Sequence, residues 1–242
     1  MIVKNNTTLC VVPARGGSKG IKNKNLKKIS GKSLLQITIE EAKNSQLFDT
    51  VHVSTESKDI KKEAENYGID FPFMREAKLA EDNIHVSEVV ADVLLSYKKV
   101  GINFNNVCLL MPTSPLRTSS HIKEAFNKFM SSDSDFLVSV CELGKLETNL
   151  RYFNDSGLLE YFNKDLEKNK SRQNCKQIYT VNGSIFIAKV SSFLDAKTFH
   201  GKDVIGYEMD SFHSIDINTY KDLELAEILF SYSRSAQIIK TG

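Results

Sequence analysis

The stretch that most constrains this chain runs from Thr8 to Gly20. Thr8 to Ala14 is a short apolar run rich in β-branched residues, the pattern of a buried strand. It passes directly into Arg15-Gly16-Gly17-Ser18-Lys19-Gly20. Three glycines in five positions permit positive φ and close backbone approach, and the N–H groups of such a loop can form an anion nest. Arg15, Lys19, Lys22 and Lys24 add positive charge beside it. A strand that ends in a basic, glycine-rich loop suits phosphate; a solvated basic turn is the plain alternative. Two common phosphate motifs do not fit. GxGxxG needs glycine at position 15, which is Arg15, and GxxxxGK[ST] ending in Gly31-Lys32-Ser33 needs glycine where the chain has Leu26.

Downstream, strand and helix patterns alternate. Helices are expected at Leu34 to Ser45, Lys58 to Tyr67, Val86 to Val100 and Ser119 to Phe129, the last opened by the Ser119-Ser120 pair. Strands are expected at Thr50 to Thr55, Asn106 to Met111 and Asp135 to Val140, with an irregular stretch from Phe71 to Asp82. This alternation predicts βαβ units and a single Rossmann-like α/β domain over residues 1–242, mainly parallel sheet with helices on both faces. Ligands of such sheets sit at the carboxyl ends of the strands. Arg15 to Gly20, Ser54-Thr55 and Pro112 to Ser114 fall at those ends, so three loops are expected to share one crevice.

Residues 142–177 break the rhythm. Arg151-Tyr152-Phe153 and Leu158 to Phe162 flank Asn154-Asp155-Ser156-Gly157, which reads as a hairpin turn. The aromatic strands suit either an arm that packs on another subunit or a hairpin folded on its own domain. Further strands are expected at Ser184 to Val190 and Val204 to Met209. A last helix is expected from Thr219 to Arg234, where Thr219 and Asp222 have capping-box spacing, with a frayed tail beyond.

The wording of the first loop, PARGGSKGIKNKNLKKISGKSLL, resembles the opening signature of the CMP-sialic acid synthetases, the acylneuraminate cytidylyltransferases, which include legionaminic acid enzymes. The resemblance continues in family order through Phe48 to Thr55, Arg75 with Leu79-Ala80-Glu81-Asp82, Pro112 to Arg117, Arg172-Gln173, Asn182-Gly183 and Ser214-Ile215-Asp216. It implies a CTP-dependent cytidylyltransferase that activates an acidic nine-carbon sugar. It also implies an Mg²⁺ cofactor and a homodimer formed through the 142–177 insertion. Arg15, Lys24 and Asp216 are the implied catalytic residues. The implied nucleotide pocket comprises Ala14, Arg15, Gly16, Ser18, Lys19, Lys24, Asn25, Arg75, Pro112 and Thr113, with Arg75 reading cytosine. Met111, Ser114, Arg172, Gln173 and Asn182 are implied on the sugar side, and Asp216 with Asn218 at the metal.

The chain departs from the family pattern in four places. Met111 stands where a Gln is frequent, Asn149 aligns with a Lys, Phe186 with a Tyr, and Asp216-Ile217-Asn218 replaces Asp-x-Asp. The first three touch the sugar side and leave open pseudaminic acid or an eight-carbon acid sugar as acceptor. The fourth leaves open a nucleotide-binding homologue without turnover.

Net charge is +2 over 242 residues, which gives no general attraction to nucleic acid or membrane. Cys10, Cys108, Cys141 and Cys175 show no CxxC spacing, so neither zinc nor a redox dithiol is expected. The first three fall in apolar runs as core thiols. No signal peptide or long apolar segment is apparent, a cytoplasmic protein is expected, and the Asn5-Asn6-Thr7 sequon carries no weight. The five histidines show no metal spacing, and Ser18 is not in a nucleophile elbow.

Overall fold

The computed structural model describes residues 7–144, 149–163 and 177–241. Its first half contains β1 (Thr8–Pro13), a small hairpin of β2 (Lys28–Ile29) and β3 (Lys32–Ser33), α1 (Leu34–Ser45), β4 (Thr50–Ser54), α2 (Lys58–Asn66), α3 (Val86–Lys99), β5 (Asn106–Leu110) and α4 (Ser119–Met130). The second half contains β6 (Phe136–Glu142), β7 (Arg151–Phe153), β8 (Leu159–Tyr161), β9 (Tyr179–Lys189), α5 (Val190–Ala196), β10 (Val204–Glu208) and α6 (Tyr220–Thr241). The six-stranded sheet has the order β10-β6-β9-β5-β1-β4. Only β9 runs against its neighbours, β5 and β6, so the sheet is mixed and mainly parallel.

Period-two alternation along the strands divides the interior into two cores. On β1, Cys10 and Val12 face one side and Leu9 and Val11 the other; on β5, Cys108 and Leu110 oppose Val107 and Leu109. The first side is covered by Leu35 and Ile39 of α1, Ile60 and Ala64 of α2, and Ile122, Ala125 and Phe129 of α4. The second is covered by Val90, Val93 and Tyr97 of α3 and Phe193 of α5. A third cluster joins Ile21, Ile29 and Leu34 to Ile217 and to Ala226 of α6. The first loop and the C-terminal helix are therefore packed together. Side-chain caps from Ser33, Ser57, His85 and Thr118 open α1, α2, α3 and α4.

Most expected elements appear within a residue or two. Four points differ. Gly16, Gly17 and Gly20 do not adopt positive φ. Their use is close approach instead: a Cβ on Gly20 would lie 2.5 Å from Asn218 O, and one on Gly16 would lie 3.0 Å from Ser57 Cβ. The cap of α4 is Thr118 rather than the serine pair, because its hydroxyl accepts the His121 N–H. Strand β9 starts at Tyr179, five residues earlier than expected, since its first half pairs with Val140 to Glu142. The last helix continues to Thr241.

Among the expected features, the hairpin is present. Strands β7 and β8 pair antiparallel around Asn154, whose Oδ1 accepts the Ser156 and Leu158 N–H groups. Phe153, Leu158, Leu159 and Phe162 are exposed on it. Cys10, Cys108 and Cys141 are buried free thiols. Asn5, Asn6, Arg172, Gln173 and Cys175 lie outside the described residues.

Candidate active site

At the carboxyl ends of β1 and β5 the first loop, the 111–113 segment and the turn before α6 enclose a cleft of about 460 Å³, within the range of small-molecule sites. Its basic wall is Arg15, Lys19 and Lys24, with Ser18, Gly20 and Asn25. Asn25 is buried and donates from Nδ2 to Arg15 O at 3.0 Å, which fixes the turn that aims Arg15. Lys24 reaches across to Ile217 O at 2.9 Å. Burial pulls the Lys24 ammonium below the usual lysine range, and nearby Asp216 works against that shift.

Ala14 is fully buried beneath this wall. The Gly16 N–H is already taken by Glu56 Oε1 at 2.7 Å. Gly16, expected in the nucleotide pocket, does not itself line the cleft. Ser54 and Thr55 lie one layer below the cleft rather than lining it. Ser54 instead grips Arg75, which donates from Nε to Ser54 Oγ at 3.0 Å and from Nη2 to Ser54 O at 2.6 Å. Arg75 is 7% exposed, not a surface residue, and burial brings its guanidinium down to about 10. It still lines the cleft.

The floor is Met111, Pro112 and Thr113, and the far side adds Gly183 and Phe186. Below it Arg117 is fully enclosed, and burial lowers it to about 10. One nitrogen, Nη1, donates to Met111 O at 3.1 Å and to Ser184 O at 2.9 Å. This ties the end of β5 to β9. Thr113 O accepts the Ile217 N–H at 2.8 Å, tying the same floor to the turn before α6.

Two expected sugar-side residues do not face the cleft. Ser114 is completely buried. Asn182 spends its amide internally: Oδ1 accepts from Ser139 Oγ at 2.6 Å, and Nδ2 donates to Ser214 Oγ at 2.9 Å. Asn149 is exposed and away from the cleft. The sequence also gave no role to a third wall, formed by Leu79, Glu81, Asp82, Ile84, Val86 and Val89. Part of it, Leu79-Ala80-Glu81-Asp82, belonged to the family resemblance, but without an assigned role.

Residues 9–234 match the family described as Cytidylyltransferase. The chain belongs to that family.

Two curated cytidylyltransferase relatives illustrate the match. An N-acylneuraminate cytidylyltransferase of Escherichia coli is 37% identical over 90% of this chain and 51% of its own length. A CMP-N,N'-diacetyllegionaminic acid synthase of Legionella pneumophila is 34% identical over 95% of this chain and 99% of its own. The chain thus spans about half of the first relative and nearly all of the second. Among solved structures, a CMP:2-keto-3-deoxy-manno-octonic acid synthetase complexed with CTP superposes with a TM-score of 0.69. It covers 94% of this chain and all of its own at 13% identity, a likeness of fold.

In this cytidylyltransferase fold Asp216 and Asn218 line the cleft beside Lys24 and Gly20 of the basic wall. Asn218 Nδ2 donates to Asp216 Oδ2 at 2.7 Å, and Asn218 N donates to Asp222 Oδ2. No cluster of three or more His, Cys, Asp or Glu suited to a metal occurs among the described residues. One carboxylate, Asp216, still fits Mg²⁺, which keeps waters and takes further oxygens from substrate phosphates. Among the described residues, no helix is long and apolar enough to cross a membrane.

Proposed function

We propose that this cytidylyltransferase uses CTP to activate an acidic nine-carbon sugar of the sialic or legionaminic acid type. The anomeric hydroxyl oxygen bonds to the α-phosphorus, the α–β phosphoanhydride bond breaks, and pyrophosphate leaves with its electron pair. The hydroxyl proton passes to solvent. The observation that carries this reading is one cleft whose lining combines Arg15, Lys19 and Lys24 with Asp216, at the strand ends of a cytidylyltransferase fold.

In this reading Arg15 and Lys24 hold the β- and γ-phosphates and offset charge on the leaving pyrophosphate. Arg75 is held by Ser54 and lines the cleft, and in this reading it reads cytosine. Asp216, with Asn218 beside it, holds Mg²⁺, which when bound neutralises phosphate charge and polarises the attacking hydroxyl. Met111 and Phe186 give the acceptor side a thioether and a ring where the family pattern has Gln and Tyr. Those apolar groups favour an acceptor with fewer hydroxyls than N-acetylneuraminate, because a site without hydrogen-bond partners cannot reward them.

We further propose a homodimer joined through the exposed aromatic hairpin. We also propose a cytoplasmic location, for which buried free thiols are suited to a reducing compartment. The test is pyrophosphate release with CTP and a panel of N-acetylneuraminate, diacetyllegionaminate, pseudaminate and an eight-carbon keto acid sugar. Release with a nine-carbon acid sugar is expected. CTP binding with no release from any acceptor would favour a non-catalytic homologue.

A further inference from the structure

Two cations of the basic wall, Arg15 of the proposed phosphate clamp and Lys19 beside it, are held by a side chain of the third wall. Asp82 Oδ1 lies 2.8 Å from Arg15 Nη2, and Asp82 Oδ2 lies 2.7 Å from Lys19 Nζ. One carboxylate engages both cations, one oxygen to each, as two oxygens of a phosphate would. Arg15 Nη1 also donates to Ala80 O at 3.2 Å, so Arg15 holds the 80–82 segment at two points. Residues 76–85 are mostly exposed, and Leu79, Glu81, Asp82 and Ile84 of this segment line the cleft. The Asp82 side chain is 45% exposed and that of Lys19 79%. Exposed pairs of this kind are weak, and a phosphate group carries more charge than a carboxylate. The contact is strong enough to arrange the clamp and weak enough to yield.

We propose that Asp82 is an exchangeable placeholder for phosphate. It holds Arg15 and Lys19 in the unliganded cleft, gives them up to the β- and γ-phosphates, and re-engages them as pyrophosphate departs. The idea rests on the CTP reading above and deepens it. It assigns Asp82 a part in substrate discrimination: ligands with a diphosphate group must compete with it, whereas a nucleoside monophosphate need not.

The test uses Asp82→Asn, which keeps the shape and removes the charge. Binding of inorganic pyrophosphate, CTP and CMP to the full chain is measured by calorimetry. Asp82→Asn should bind pyrophosphate about 3- to 10-fold more tightly, since a competing ion pair is removed, with CMP affinity unchanged within twofold. Asp82→Glu should restore wild-type pyrophosphate affinity. Glu81→Gln removes a neighbouring cleft carboxylate and should give a smaller gain. A purely structural role predicts the opposite sign, weaker pyrophosphate binding in Asp82→Asn. That result overturns the proposal, and so does an equal gain for CMP or for Glu81→Gln. Wild-type protein that binds pyrophosphate but not CTP would instead sink the nucleotide reading, leaving the competition at Asp82 to be judged from pyrophosphate alone.

Discussion

Gly20 touches Asn218. The space for a Cβ on Gly20 is filled by the Asn218 carbonyl oxygen, 2.5 Å away, so two segments almost two hundred residues apart share one contact. Backbone cannot swing aside as a side-chain tip can. Gly20→Ala should therefore push the basic loop off the turn that carries Asp216. We expect kcat/KM to fall at least ~10-fold and Tm to drop by several degrees, as for a small overpacking of ~1–3 kcal/mol. Gly17→Ala is the control, because nothing lies within 4 Å of its added carbon. It should stay within about 0.5 kcal/mol of wild type. Thermal melts and CTP kinetics of both variants check this.

Arg15→Ala should lower kcat/KM by ~10² or more, because one charge-assisted contact in a site of this kind is worth about 2.7–4 kcal/mol. The fold should survive, since Arg15 sits on a loop and not in either core. Circular dichroism paired with single-turnover kinetics separates the two effects. Wild-type turnover in a folded variant would remove this loop from the chemistry.

For the metal, Asp216→Ala should nearly abolish activity. Asn218→Asp should lower the Mg²⁺ concentration needed for half-maximal rate, because Mg²⁺ favours charged oxygen. It replaces an amide that now donates to Asp216 with a second carboxylate, so the unloaded variant should also melt earlier and recover with Mg²⁺. Mg²⁺ titrations of rate and of Tm check both halves. An unchanged curve in Asn218→Asp makes position 218 structural.

His52 supplies a pH dependence of stability. It is buried against Phe71, Phe73 and Tyr97, and burial, then the charge of Arg75, bring its imidazole down to about 3. An unfolded histidine takes up a proton near 6.5. The unfolded state therefore binds more protons between about 6.5 and 3, so stability is full above 6.5 and falls as pH drops through that window. Denaturant titrations from pH 7 to pH 4 should show a steeper loss in wild type than in His52→Gln. Equal slopes would exclude His52 as the cause.

The exposed hairpin should make the protein dimeric. Phe153 is 74% exposed and Phe162 69%, more apolar surface than a solvated hairpin has reason to carry. Light scattering at micromolar concentration should give twice the chain mass, and Phe153→Glu should shift it toward the monomer. A monomeric wild type removes the arm from the assembly.

The fold was legible where one physical rule dominated. Apolar runs alternating with amphipathic helices marked β1, β4, β5 and β6, and the basic glycine-rich turn marked one wall of the cleft. What escaped depended on contacts between distant segments. The Thr180-Val181-Asn182-Gly183 start of β9 lacks a strand's apolar signature because its pairing with Val140 to Glu142 defines it. Arg75 reads as surface by charge, yet Ser54 gives it donors' partners inside. Asn182 reads as a ligand-facing amide, but Ser139 and Ser214 use both its ends. Asp82 was legible as part of a family motif but not in what it does, which shows only when Arg15 and Lys19 are seen on its two oxygens.

The bonds from Ile217 to Thr113 and from Lys24 to Ile217 also bear on how the protein is made. Strand β1 and its loop leave the ribosome long before the turn that completes their cleft. A nascent chain can build most of the sheet from β4 to β6 while its basic loop still lacks Ile217 and Asn218. The cleft should thus close abruptly during synthesis, once the residues before α6 have emerged. Chains stalled short of residue 216 would carry much of the fold but an open basic hollow, lacking Asp216, in place of the site.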